Sequence, residues 1–240
     1  MKDYIEHYSI DNEKMDYSKE SYFFKNIDKY RFRLIIRQIN AYRDKKILDI
    51  GSGSGKMIDS DNGNFFSLDI SQINNSSLSV KTEGDANRIP FKSSSFSAVI
   101  MSEVLEHISE PHLALREAHR VLDDKGILVL TVPYREKIKE HLCIHCNKLT
   151  PENAHLHSFD EENLFKVLSD SGFDPIRTVK FENRFLYMTH FFSVFSKFPI
   201  DFINFIDIIV GNWYNKYNKI MLVSQKRASG SVGRAHPSQG

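Results

Sequence analysis

Residues 46–55 read KILDIGSGSG, and this stretch decides the fold. Ile47, Leu48 and Ile50 form a short apolar run of the kind buried on both faces of a parallel sheet. The chain then turns through Gly51, Gly53 and Gly55. Glycine permits a sharp turn and lets a ligand approach the backbone with no Cβ in the way. The spacing excludes two familiar phosphate loops. A P-loop, G-x-x-x-x-G-K-S/T, fails because Ile50 stands in the first glycine position and Met57 in the Ser/Thr position. The dinucleotide fingerprint G-x-G-x-x-G fails because Lys56 holds its third glycine position. What remains is D-x-G-x-G-x-G, starting at Asp49.

Outward from this loop, short apolar runs alternate with longer amphipathic segments. Strands are expected at 46–50, 65–70, about 78–82, 97–102, 126–132, about 176–182 and 219–224. Helices are expected at 22–41, from Pro111 to about Leu122 with Ser109 as its cap, and at 163–169. The last of these has Ser158 and Glu161 as a capping box and Gly172 as its stop. This order predicts an α/β fold, a mostly parallel seven-stranded sheet with helices on both faces.

Composition narrows the function classes. With 32 basic against 31 acidic residues, the 240-residue chain has no global attraction for nucleic acid. No uncharged apolar window is long enough for a membrane helix. The polar opening, MKDYIEHYSIDNEK, does not read as a secretory signal, so a cytoplasmic setting is expected. Two cysteines three positions apart exclude a disulfide framework. The expected organisation is one domain over 1–226: a lead helix within 1–45, a core over 46–182 with a metal loop at 141–158, an aromatic insertion at 183–215 and a last strand at 218–224. The final residues, RASGSVGRAHPSQG (227–240), lose the bias of the rest and are expected to be a disordered tail.

At this point the sequence resembles the class I S-adenosylmethionine (SAM)-dependent methyltransferases, especially the type 11 group. The resemblance covers about residues 20–182 and rests on five motifs in order: DIGSGSG, FSLDIS, GDANRIPF, FSAVIMSEVLEHI and LREAHRVLDDKGILVLTVP. It implies a Rossmann-like methyltransferase fold and SAM as cofactor. The cofactor contacts it implies fall on Asp49, Gly51, Ser52, Gly53 and Gly55 after the first strand. Asp69 and Ile70 follow the second strand, with Asp69 on the ribose hydroxyls. Asp85 and Ala86 lie beside the adenine, and Ser102 closes the fourth strand. The short stretch 55–65 leaves the first crossover helix little more than two turns.

In SEVLEHI, Glu103, Glu106 and His107 are spaced i, i+3, i+4, so one helical turn would carry all three on one face. His107 alone has an unperturbed pKa near neutrality, which makes it the expected general base. A sharper reading stays open. E-x-x-E-H is similar to a pattern in ubiquinone-pathway and small-RNA 2′-O-methyltransferases, which implies a divalent ion on these residues. A favourable helix dipole explains the acids equally simply.

The segment HLCIHCNKLTPENAHLHSF offers Cys143, Cys146, His155 and His157, with His141 and His145 as spares. Two thiolates and two imidazoles suit one structural zinc. A redox pair or a merely His-rich loop are the alternatives. In the insertion, residues 199–210 place Asp201, Asn204 and Asp207 on one stripe of a helix and Phe202, Phe205, Ile206 and Ile209 opposite. Such a helix packs on its own core, walls the acceptor pocket, or serves as a homodimer contact; its acidic stripe disfavours an anionic membrane.

The leading expectation is methyl transfer to O or N of a small-molecule or glycan-precursor acceptor. An RNA methyltransferase, using Lys25, Lys29, Arg31, Arg33 and Arg37 on the lead helix, is the runner-up, although nucleic acid is not the expected partner. A non-catalytic SAM-binding protein is the third.

Overall fold

The computed structural model describes residues 22–53, 64–70, 80–142 and 149–228. Helix α1 (Tyr22–Ile39) buries Ile27, Tyr30, Leu34, Ile35 and Ile39, a helical stripe laid against the sheet. The strands of the sheet are β1 (Lys46–Ile50), β2 (Asn64–Asp69), β3 (Val80–Glu83), β4 (Phe96–Ser102), β5 (Leu122–Pro133), β8 (Phe173–Asn183) and β9 (Tyr217–Lys226). Their order is β3-β2-β1-β4-β5-β9-β8. β9 runs antiparallel to both its neighbours, and the other pairings are parallel. The order reverses between β1 and β4, which opens a crevice at their carboxyl ends where such sheets bind ligands.

Two apolar cores lie on the two faces. One packs α2 (Pro111–Val121) and α3 (Glu161–Asp170) against Leu48, Val99, Leu128 and Leu222. The other packs α1 and the insertion against Ile47, Ala98, Val129 and Met221. A small hairpin, β6 (Glu140–Leu142) with β7 (Leu149–Pro151), stands off the sheet between β5 and α3.

Both expected caps shift. Glu110, not Ser109, is the N-cap residue of α2, with no side-chain cap bond, and Pro111 supplies the pre-set backbone. At α3 the reciprocal box is Asp160 with Asn163, at 3.0 and 2.9 Å. Ser158 instead donates to the carbonyl of Glu136 at 2.6 Å, and Glu161 accepts from Tyr134 Oη at 2.8 Å. Gly172, at φ +89°, ends α3 as expected. At the far end of β9, Arg227, placed in the tail by sequence, donates Nε to Asp174 Oδ1 at 3.0 Å; 229–240 lie outside the described residues.

The insertion folds as α4 (Arg184–Met188), α5 (Phe191–Val194) and α6 (Ile200–Trp213), all against α1 or β8. α6 departs most from the sequence pattern. Its inward stripe is Ile203, Asp207 and Gly211. Asp207 is buried and accepts from Tyr30 Oη at 3.0 Å, from the Glu182 N–H at 3.0 Å and from the Asn183 N–H at 2.8 Å. Tyr217 Oη lies 1.5 Å from where a Gly211 Cβ would be, so this turn rests directly on β9. Phe202, Phe205, Ile208, Ile209 and Trp213 point outward. The hydrogen-bonding demand of three buried donors, rather than apolar area, sets which side faces in.

Asp207→Ala would strand all three donors, so we expect a loss of stability on the order of 3 kcal/mol. Phe205→Ser should cost little. Urea unfolding of both variants checks the order.

Candidate active site

The crevice is built from the ends of β1, β2, β3 and β4 and the segment after β5. Gly51 (φ +69°) and Gly53 (φ +51°) both adopt left-handed backbone. The Gly51 N–H donates to the carbonyl of Leu68 at 2.7 Å, and the Gly53 N–H donates to Asp69 Oδ2 at 2.7 Å. The β2 carboxylate therefore holds the glycine turn in place. A Cβ on Gly51 would lie 2.3 Å from Val104 Cγ2, so the turn also touches the segment after β4. Asp85 accepts from the Asn87 N–H at 2.8 Å and fixes its own loop, with Ala86 half-buried beside it. Ser102 Oγ and Thr131 Oγ1 are 3.1 Å apart at the tips of β4 and β5. Ser52 is half-buried and Ile70 exposed; Gly55 lies outside the described residues.

Asp49 is 3% exposed. Burial and then the nearby Asp69 charge push its carboxyl up to about 8.

Beyond this cradle the three-residue helical face does not form. Glu103 sits at φ +57° outside any helix, and only Leu105–His107 make a single 3-10 turn. Glu103 is ion-paired with Lys219 and accepts from Thr131 Oγ1 at 3.1 Å. Burial works against its charge, but Lys219 and Arg31 outweigh it and hold Glu103 below the usual carboxylate range.

Glu106 and His107 instead meet His155. The Leu156 and His157 N–H groups dock on the Glu106 carbonyl at 2.7 and 3.3 Å and bring this loop over the turn. One ligand atom from each of Glu106, His107 and His155 lies within 4.8 Å of the others. Neither Glu106 oxygen has a hydrogen-bond partner, although the residue is fully buried. Burial, then the charge on Glu103, holds its carboxyl well above the ordinary range. His107 Nδ1 donates to the Ala154 carbonyl at 3.1 Å, and His155 Nδ1 donates to Glu136 Oε2 at 2.5 Å. These bonds fix both rings beside the cluster.

Burial, then His155, pushes His107 down to about 4. The reason that favoured it as a base, a pKa near neutrality, does not survive the fold. It is a neutral acceptor at physiological pH.

His157 is not in this group; its Nε2 donates to the Ile108 carbonyl at 2.9 Å. Cys143, Cys146 and the spare His145 lie outside the described residues, while His141 is exposed on β6.

Sequence reasoning missed several participants. Lys219 opens the last strand, Arg31 turns inward from α1, and Glu182 is fully buried at φ +57°. Glu182 is raised to about 7 by burial against the opposing pull of Lys219 and Arg31. Only a topology that brings β4, β8, β9 and α1 together reveals this group.

With the geometry in place, the comparisons are decisive at the family level. Residues 27–178 match the family described as "Methyltransferase domain". The chain belongs to the class I SAM-dependent methyltransferases. Among curated proteins it is 29% identical over 130 residues to a demethylmenaquinone methyltransferase of Renibacterium salmoninarum, covering 46% of this chain and 53% of that protein. The chain thus aligns with about half the length of that relative. Among solved structures it is similar to the 4+2 cyclase SpnF, with a TM-score of 0.59, 19% identity, and 84% and 81% of the two chains covered. A second is the 1,6-didemethyltoxoflavin-N1-methyltransferase of Burkholderia thailandensis, bound to 1,6-didemethyltoxoflavin and S-adenosylhomocysteine. There the TM-score is 0.56 with 11% identity, over 88% and 80% of the chains. At such identities these two structures speak for the fold alone.

Asp49 and Glu182 carry folded-state pKa values above the ordinary carboxylate range. The folded state therefore holds protons that the unfolded chain has released, and stability falls as pH rises toward about 8. His107 shifts the opposite way, but its window closes at its ordinary value near 6.5. Between about pH 6.5 and 8 the melting temperature of the ligand-free protein should fall, each retained proton weighing about 1.4 kcal/mol per pH unit. Asp49→Asn should flatten part of that slope in differential scanning calorimetry, Glu106 and Glu182 carrying the rest.

Proposed function

We propose that this chain transfers the SAM methyl group to an oxygen or nitrogen of a small-molecule acceptor bound over Glu106, His107 and His155. The observation that carries the reading is the fixed relation between the two halves of the site. The glycine turn held by Asp69 packs on Val104, immediately before the turn that aims Glu106 and His107. Methyl transfer is an in-line displacement: the S–CH₃ bond breaks as the new O–CH₃ or N–CH₃ bond forms, and S-adenosylhomocysteine leaves. The protein's share is alignment and exclusion of water. His107 Nε2, unprotonated at neutral pH, accepts a hydrogen bond from the acceptor and orients its lone pair. The acceptor's proton is released to solvent.

The same cluster fits a divalent ion. Glu106 is a buried carboxyl without a partner, and both imidazoles donate Nδ1–H to an oxygen, as metal-bound histidines commonly do. Glu106, His107 and His155 would hold the ion; one carboxylate and two imidazoles suit zinc or another first-row ion better than magnesium. It would supply Lewis-acid polarisation of an acceptor oxygen. Glu103, tied to Lys219, is not in the set. The alternative quartet with Cys143, Cys146 and His157 shares His155 with this set.

Three of the five α1 cations on which the RNA reading rests are engaged within the protein. Arg31 is turned inward beside Asp28, Arg33 donates to the carbonyls of Ser196 and Phe198, and Arg37 pairs with Asp201. Arg33 and Arg37 hold the insertion down, and Arg31 is tied within α1.

Calorimetry should detect SAM binding, weakened at least tenfold by Asp69→Ala. Acceptor-dependent formation of S-adenosylhomocysteine across phenols, amines and glycan precursors tests transfer itself. With a productive acceptor, Glu106→Gln and His107→Gln should lower kcat by about 10²-fold or more while leaving SAM affinity within about twofold. SAM binding without turnover on any acceptor would leave the non-catalytic reading standing.

For the ion, titration of metal-stripped protein with Zn²⁺ should show one site that His155→Ala and Glu106→Gln weaken at least tenfold. Cys143→Ser with Cys146→Ser should leave it intact; the reverse pattern would assign the ion to the thiolates.

A further inference from the structure

We propose that the outward face of α6, with the loops at its two ends, docks this protein on an anionic lipid bilayer. The inference rests on the inverted orientation of α6 and on charge, and it stands apart from methyl transfer.

Phe202, Phe205, Ile209 and Trp213 are spaced three, four and four residues apart, so they form one stripe along the helix. All are exposed, Phe205 at 59% and Trp213 at 91%. Phe198 extends the stripe beyond the helix N-terminus, its ring 5.3 Å from that of Phe202. Asp207 on one side and Gly211 against Tyr217 on the same side fix the helix in this sense, so the stripe cannot roll inward without stranding buried donors. A contiguous apolar face held outward by the protein's own hydrogen bonds marks an interaction surface.

The charge around the stripe selects the occupant. Lys197 is exposed next to Phe198, where Arg33 also reaches the backbone. At the other end Arg184 and Lys216 are exposed and joined through the Arg184 N–H and the Lys216 carbonyl, at 2.8 Å, beside Trp213 and Tyr214. The two acids of the insertion do not offset them: Asp207 is buried, and Asp201 is paired with Arg37. Cations thus bracket an aromatic stripe at both ends. Of the acidic stripe that counted against a membrane in the sequence, Asp207 is buried, and the exposed Asp201 is neutralised by Arg37. A second copy is a poor occupant, because a twofold pairing across this face sets cationic ends against cationic ends with no acid to receive them. A negatively charged bilayer receives both parts: headgroups take the lysines and arginines, and the acyl boundary takes the phenylalanines, with tryptophan at the level it favours.

The test is co-flotation of the full chain with vesicles of phosphatidylcholine alone and of phosphatidylcholine with about one-quarter phosphatidylglycerol. We expect binding to the anionic vesicles at least tenfold above the neutral ones, reduced by raising NaCl from about 0.1 to about 0.5 M. Phe205→Ser with Trp213→Ala, and separately Lys197→Glu with Lys216→Glu, should each lower it at least tenfold while SAM calorimetry and circular dichroism stay unchanged. Three results would overturn the proposal. One is a chain that floats with neither vesicle. Another is vesicle binding that survives the aromatic pair. The third is a dimer on gel filtration that Phe205→Ser converts to monomer, which would give the face to a second copy.

Discussion

One hydrogen bond organises the cofactor half of the molecule: the Gly53 N–H donated to Asp69 across the ends of β1 and β2. It requires left-handed backbone at the turn, which glycine supplies, and a carboxylate at the last position of β2. Parallel pairing of β1 with both β2 and β4 puts the two at one edge, and the right-handed crossovers of such sheets make that edge the binding edge. The buried Asp49 and the docked Val104 are consequences of closing the turn this tightly. Gly51, Gly53 and Asp69 are positioned by the ends of β1 and β2, while Asp85 lies on a loop after β3 that its own carboxylate fixes.

The region around Glu106 is built from charge in a place where charge is costly. Glu103, Lys219 and Arg31 are half-buried and Glu182 is fully buried, and the four come from separate parts of the chain. Burial, and then the charge on the neighbouring Glu103, outweigh the opposing pull of Lys219 and Arg31 and hold the Glu106 carboxyl well above its ordinary range. An environment that disfavours the anion of Glu106 while keeping His107 unprotonated is poised for whatever brings positive charge or a proton donor to that point. The left-handed backbone at Glu103 and Glu182 falls at the ends of β4 and β8, where strain is commonly tolerated for function.

The sheet was legible in the sequence because it depends on local apolar runs and turn chemistry: all seven strands end within two residues of an expected run such as KILDI or SAVIMS, and five also begin within two. The cofactor motifs were legible because their spacing is sequential. Three things were not. The caps of α2 and α3 moved by a residue or two because several polar residues competed for each end, and Ser158 and Glu161 found partners across the fold. Helical periodicity at Glu103, Glu106 and His107 was broken by the Lys219 pairing from a strand more than a hundred residues away. The orientation of α6 was hidden because periodicity reports which residues share a face, not which face is inside; three donors on α1 and β8 outvoted the phenylalanines.

The contact between Gly51 and Val104 has an evolutionary consequence. Because the donor cradle and the turn bearing Glu106 interlock at that point, any widening of one deforms the other, and the strand tips cannot drift to suit a new substrate. Divergence in this scaffold is therefore channelled into the parts that are not interlocked, the segment carrying His155 and the appended helices. A lineage could exchange what it modifies many times over while its nucleoside grip stayed fixed.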